Sequence, residues 1–216
     1  SAASAITAGG ETAVDATTSA GQYLNVVVLS ATKIVVIFPN TSSVTQVKTM
    51  TISGSALTAA GSVLQVTAPG TDVNLPVVST RVSATRVLIA QSLDVTYGDL
   101  YLSLIDTTTT TPVTISCALI NTWRGDNSVY IGNLIKLSTG VFFLNWSSGT
   151  LKTDGMVIRV TSDDRIVLSE QSIKLDADSG ASQFYAACAT LDSTHIMQAT
   201  RNSSGYLSVK TLEIAI

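Results

Sequence analysis

The chain is poor in the residues that most often carry chemistry. Among its 216 residues there is one histidine, His195, and only two cysteines, Cys117 and Cys188. A lone histidine gives Ser-His-Asp and Cys-His schemes no support, because the base in each must itself be oriented by a third group. Two cysteines are too few for a secreted scaffold stapled by disulfides. Both lie in apolar strand-like runs, so two buried free thiols are expected. Charged residues make up 12% of the chain, against roughly 25% in ordinary domains. The formal net charge is −3, which leaves no electrostatic footprint for nucleic acid or an anionic membrane. No apolar run is long enough to span a bilayer, and no charged-then-apolar stretch opens the chain. Neither membrane insertion nor a signal peptide is therefore expected. No segment sustains a helical period, so almost no helix is expected.

What is present is a β-rich palette and a repeat. Hydrophobic residues are 45% of the chain, with Val, Ile, Leu and Thr dominating the strand-like runs. One hairpin recurs four times: Leu29-Ser30-Ala31-Thr32-Lys33-Ile34, Val82-Ser83-Ala84-Thr85-Arg86-Val87, Leu137-Ser138-Thr139-Gly140-Val141 and Leu191-Asp192-Ser193-Thr194-His195-Ile196. Taking Ile34, Val87, Val141 and Ile196 as equivalent, the spacings are 53, 54 and 55, and four such units fill the 216 residues. A period of this size signals propellers, solenoids or arrays.

Each unit reads as four short strands, A to D, separated by turn residues. The first unit spans about 23–67, the second about 75–120, the third about 129–175 and the fourth about 184–216. The last unit stops after Val209-Lys210-Thr211-Leu212-Glu213-Ile214, a near-copy of Val47-Lys48-Thr49-Met50-Thr51-Ile52. What should follow it, a counterpart of Ser55-Ala56-Leu57-Thr58-Ala59-Ala60-Gly61, stands at the other terminus as Ser4-Ala5-Ile6-Thr7-Ala8-Gly9-Gly10. The expected architecture is all-β: a single four-bladed β-propeller with four antiparallel strands per blade. Its ring is closed by the N-terminal strand, Ile6–Val14, which completes the fourth blade. A β-solenoid is the structural rival, but it gives interlocking termini no purpose.

A propeller presents its B–C and D–A loops on one face, where ligands usually bind. The richest of these loops is Asn121-Thr122-Trp123-Arg124-Gly125-Asp126-Asn127, and Trp146 stands beside another. An aromatic face next to Arg, Asp and Asn suits a sugar, a peptide or a partner protein. The candidate contacts are therefore Trp123, Arg124, Asp126, Asn127 and Trp146. The competing reading makes Trp123 an inter-blade cap with solvated neighbours. His195 falls where other units carry Lys33, Arg86 and Gly140, as expected of a tolerant turn residue. Asp176-Ala177-Asp178-Ser179-Gly180 lacks the closing acid of a calcium loop, so no metal and no cofactor is expected. Asp163-Asp164 reads as an ordinary turn tip, and Thr107 to Thr111 as a loose one. The sequons at Asn40, Asn145 and Asn202 read as turn chemistry repeated by the blade pattern.

The apolar A strand, the Ser-Ala-Thr-Lys/Arg turn, the apolar B strand and the Gly-bearing C–D turn resemble degenerate propeller repeats. Such repeats occur in bacteriophage and viral structural proteins and in bacterial surface proteins. The resemblance implies a non-enzymatic structural or interaction protein, such as a capsid decoration or tail-associated component of a virion assembled in the host cytoplasm. Its partners would be other capsid or tail proteins. The alternative is a carbohydrate- or receptor-binding propeller at a cell surface, using the Trp123 and Trp146 loops on a glycan or receptor.

Overall fold

The computed structural model describes residues 11–14, 23–40, 42, 44–66, 77–92, 99–120, 129–148, 152–170, 173–175, 187–201 and 207–214. Among these residues there are strands and no helix, as the period-2 alternation and the β-branched content require. The first sheet runs β1 (Asn25–Ser30), β2 (Lys33–Pro39), β3 (Thr45–Ser53), β4 (Ala56–Gln65). The second runs β5 (Val77–Arg81), β6 (Arg86–Ser92), β7 (Leu100–Asp106), β8 (Val113–Ile120). Both are antiparallel meanders in chain order.

The third sheet departs from that plan at its outer edge. It runs β9 (Val129–Ser138), β10 (Val141–Ser148), β11 (Lys152–Val160), and then two short strands share the last place. β12 (Ile166–Leu168) and β13 (Ile173–Lys174) both pair with β11, where one strand over Ile166–Leu175 was expected. Five positions separate Leu168 from Ile173, while their partners Ile158 and Gly155 are three apart. The two surplus residues break the ladder, as extra residues in a strand do. The fourth sheet has three strands, β14 (Ala187–Thr190), β15 (His195–Arg201) and β16 (Leu207–Glu213). Nothing among the described residues pairs with the outer edge of β16. Of the expected N-terminal strand only Glu11–Val14 is described, and it carries no strand pairing.

The pairing registers refine the repeat. The last regular pairs before each A–B turn are Val28 with Ile34, Arg81 with Val87, Lys136 with Phe142, and Thr190 with Ile196. Phe142, not Val141, is thus the third equivalent, and Val141, not Gly140, sits at the position of Lys33, Arg86 and His195. A bulge between Val141 and Phe142 hides the offset in the sequence.

Successive sheets pack through their inner strands: β1 against β5, β5 against β9, and β9 against β14. Alternation assigns one side of each sheet to each neighbour. Val27, Leu29, Val35, Ile37 and Val47 meet Val77, Val87, Ile89 and Ile105 between the first and second sheets. Leu88, Ala90, Leu100 and Leu102 meet Leu134, Phe142, Leu144, Trp146 and Ile158 between the second and third. Leu137, Val141, Phe143 and Val157 meet Ile196 and Ile214 between the third and fourth. A fourth cluster covers the other side of the first sheet, where Val14 packs with Val36, Phe38, Met50, Leu57 and Val63.

Candidate functional site

The structure separates the residues singled out in the sequence. Trp123, Arg124, Asp126 and Asn127 lie outside the described residues, as do Asp176 to Gly180 and Asn202. Trp146 sits within β10 and is 2% exposed against the second sheet. Its indole fills an inter-sheet core, where a ligand or partner cannot reach its face. Asn145 is buried in the same strand and accepts a hydrogen bond from the Asn133 backbone N–H at 2.7 Å. It is a sheet residue and not the turn residue expected. Asn40 does cap its turn, accepting from the backbone N–H groups of Ser42 and Val44 at 2.9 Å each.

The thiols also differ from expectation. Cys188 is half-buried, and burial pushes its pKa up to about 11, so it stays protonated at neutral pH. Cys117 is exposed on β8, because alternation turns it away from the core that Ala118 and Ile120 join. Beside it, Tyr101 is pushed up to about 12, first by burial and then by the hydrogen bond to Cys117.

The A–B turn position that looked tolerant is a structural tie in two of its four copies. Lys33 Nζ donates to the Thr107 carbonyl of the second sheet. Arg86 reaches from the second sheet to the third, where Nε and Nη2 fork onto the Asp164 carboxylate at 3.2 and 3.0 Å. Its Nη1 meets Asp106 at 2.6 Å. The hydrogen bond that Arg86 donates to Asp164 raises the Arg86 pKa against the opposing effect of burial. Burial would raise Asp106, but two hydrogen bonds from Thr108 and the charges of Arg86 and Lys33 hold it below the usual carboxylate range. Asp164 is in a turn, as expected, with φ 61, and that left-handed backbone aims its carboxylate at Arg86.

The Thr107 to Thr111 tip is likewise engaged. The Thr110 carbonyl lies where a Cβ on Gly61 would come within 2.5 Å of it, at φ 67. Only glycine lets the first sheet's outer strand approach that closely. His195 does have a partner: its Nδ1 lies 3.0 Å from the Asp192 carboxylate within one exposed turn. Backbone hydrogen bonding from Thr194 and the His195 ring draw the Asp192 pKa down. Among the described residues no cluster of three His, Cys, Asp or Glu side chains could hold a metal.

Among the described residues two apolar surfaces stand out as exposed. The first is on β8, the outermost strand of the second sheet, where Val113, Ile115, Cys117 and Leu119 are exposed; a bulge at Ile115 puts Val113 on the opposite side from Cys117 and Leu119. The second is the side of the fourth sheet that faces away from the third. The same positions can be followed round the repeat by register. Val35, Leu88 and Phe143 are 0% exposed, but Met197 is 40%. Val47 and Leu102 are 0% exposed, but Val209 is 54%. Thr45, Leu100 and Thr153 are at most 2% exposed, but Leu207 is 76%. At the far end of the array Val26 and Val28 of β1 are also more than half exposed.

No protein-family description matches the sequence, and no curated protein matches it either. Among solved structures, the periplasmic gluconolactonase of Pseudomonas aeruginosa shares the arrangement at a TM-score of 0.54 with 12% identity. The match covers 90% of this chain and 57% of that one. A second likeness, to a subtype N10 neuraminidase-like protein from A/little yellow-shouldered bat/Guatemala, has a TM-score of 0.48 and 11% identity. It covers 87% of this chain and 57% of that one, and at that score it adds nothing to the argument. The fold is propeller-like. Its sheets are blades, and the chain spans 57% of the length of each of these two proteins. At 12% identity the likeness is one of fold, so no residue's role transfers. It does correct the expectation of a chain without catalytic function in one respect: the fold is shared with a gluconolactonase, an enzyme, so the fold is no ground for excluding catalysis. The residues that tie and cap the blades were missed in the sequence because Lys, Arg, Asp and Thr in turns look solvated there. Their repeat-equivalent placement was the available signal.

Proposed function

We propose that this chain is an interaction module built as a four-bladed ring, which docks onto other proteins of a virion through its blade edges. The single observation that carries the docking role is the exposed apolar edge formed by Ile115, Cys117 and Leu119 on the outermost strand of the second blade. Exposed apolar side chains gathered on one solvent-facing outer strand are an interaction surface by the ordinary rule for exposed patches. The low charge and Ser/Thr-rich surface fit a component that contributes buried area to a lattice.

The ring itself is supported by where the N-terminal segment lies. Thr12 Oγ1 donates to the Leu57 carbonyl at 2.8 Å, at the start of the first blade's outer strand. One blade on, the first blade's own outer strand meets the second at the matching place, with Ser62 N–H donating to Thr111 Oγ1 at 3.3 Å. The 11–14 stretch stands to the first blade as an outer strand of a preceding blade would, which is the place assigned to the Ile6–Val14 strand of the fourth blade. The carbohydrate- or receptor-binding reading now rests on the Trp123 loop alone, because Trp146 is in the core.

Purified particles test the proposal. The chain should be recovered from them in stoichiometric amount, and Ile115→Asp with Leu119→Asp should abolish incorporation without lowering the melting temperature. Absence of the chain from purified particles, or incorporation that survives both substitutions, sinks it.

A further inference from the structure

We propose that Cys117 is a redox-modification site, where a hydroperoxide oxidises the thiol to a sulfenic acid whose new oxygen is held by the hydroxyls of Ser103 and Tyr101. The site is independent of the docking role proposed above and needs none of its partners.

Three side chains meet there by register. Cys117 is exposed on the outer strand β8, so a reagent in solvent reaches its sulfur. In the ladder with β7, Cys117 stands opposite Ser103 and Leu119 opposite Tyr101. Opposed residues of an antiparallel pair share a side, and so do residues two apart, so all four lie on the side toward the first sheet. Ile105, next in that alternation, is in the core between those two sheets.

The Tyr101 hydroxyl is hydrogen-bonded to Cys117, and a pKa pushed up to about 12 keeps the phenol protonated at neutral pH as a donor. Ser103 calls for an acceptor. It is 1% exposed, and its hydroxyl has no hydrogen-bond partner among the described residues. Burying a hydroxyl unpaired is costly, and the reduced thiol across the ladder is only a weak acceptor. A sulfenic oxygen on Cys117 is a strong one, placed beside both hydroxyls.

The step balances. The Cys117 thiolate attacks one peroxide oxygen, the S–O bond forms as the O–O bond breaks, and the other oxygen leaves with the electron pair and takes up a proton. Sulfur loses two electrons and the peroxide gains them. The chain's other cysteine, Cys188, lies on the inner strand β14 of the fourth sheet and packs toward the third, so it does not condense with the product. It also serves as the internal control, because burial keeps its thiol protonated.

The test uses the intact chain and hydrogen peroxide, removed with catalase before dimedone is added, so that the adduct counts surviving sulfenic acid. Peptide mass spectrometry should find the adduct on Cys117 at roughly tenfold the level on Cys188. Iodoacetamide labelling of untreated Cys117 is read alongside in Ser103→Ala and Tyr101→Phe, with circular dichroism checking the fold of each. The ratio of dimedone to iodoacetamide adduct should fall roughly threefold in Ser103→Ala, and fall also in Tyr101→Phe, because the sulfenic acid loses a donor. A merely structural disturbance would move both labels together. No adduct on Cys117, an equal adduct on Cys188, or a ratio unmoved in the folded variants overturns the inference.

Discussion

The interface between the second and third blades and the forward side of the fourth blade are made of equivalent positions, yet only the first is a core. In the former, Leu88, Leu102 and Phe142 are sealed and Arg86 spans the rim to Asp164. In the latter, Met197, Val209 and Leu207 face water, and the turn residue that would span the rim, His195, folds back onto Asp192 of its own turn. Similar residue types thus give opposite burial, and the difference is whether a neighbour is present. Burial of a side chain of this size is worth roughly 1.5–3 kcal/mol, so stability is expected to be concentrated in the middle of the array.

The largest break in that comparison is a matched pair of truncations. Phe143→Ala should cost about 3–5 kcal/mol, because the site is closed on all sides and a cavity remains. Met197→Ala, at the equivalent position of the fourth blade, should fall within about 0.5 kcal/mol in dilute solution. Urea denaturation of the two variants reads the difference, and equal costs would show that the fourth blade's forward side is covered after all. Next in size is Gly155→Ala. The added Cβ would lie 2.2 Å from Phe143 Cζ and 3.0 Å from Leu175 Cδ1, so the ring must move. A loss of about 1–3 kcal/mol is expected, as for other overpacked cores.

Smaller again is Arg86→Met, which unties the second blade from the third. The group is partly solvated, so a loss of about 1 kcal/mol is expected once screening is allowed for. Its diagnostic is pH dependence. Asp106 has a folded pKa below its unfolded value, so the stability it contributes is complete above the ordinary carboxylate range and is lost as pH falls through the lowered value. A melting-temperature series from pH 6 to pH 2 should show a shallower acid loss in Arg86→Met than in the parent, because one of the charges depressing Asp106 is gone. Parallel curves would remove Arg86 from that account. The smallest effect involves no change in stability: iodoacetamide should label Cys117 in the native protein well before Cys188, whose thiolate is suppressed by burial.

Much of the fold was legible in local pattern. β8 begins and ends at Val113 and Ile120 as expected from its alternation and from Pro112 before it. β7 and β16 differ by a single residue at each end from the strands Asp99–Ile105 and Tyr206–Ile214 expected from the sequence. The errors have physical causes. Bulges displaced the third unit's alignment by one, since pairing and not sequence spacing decides which residues are opposite. Asn145 and Trp146 stood last in the expected strand Val141–Trp146, next to a loop, because polar Ser147 and Ser148 follow, yet β10 runs on through both serines. Of the candidate contacts only Trp146 falls among the described residues, and its burial was invisible locally: a tryptophan at a strand end caps a core or meets a ligand with the same sequence around it.

By itself the sequence determined that the chain is β throughout, where its hairpins turn, and that similar units follow one another about 54 residues apart, since alternation and turn residues act over a few positions. It also determined that every blade has two apolar sides. Only the tertiary structure decided which sides are covered, which turn cations reach a neighbouring blade, and which thiol meets solvent. Those depend on what stands opposite, and alternation with a period of two names a side without naming its neighbour.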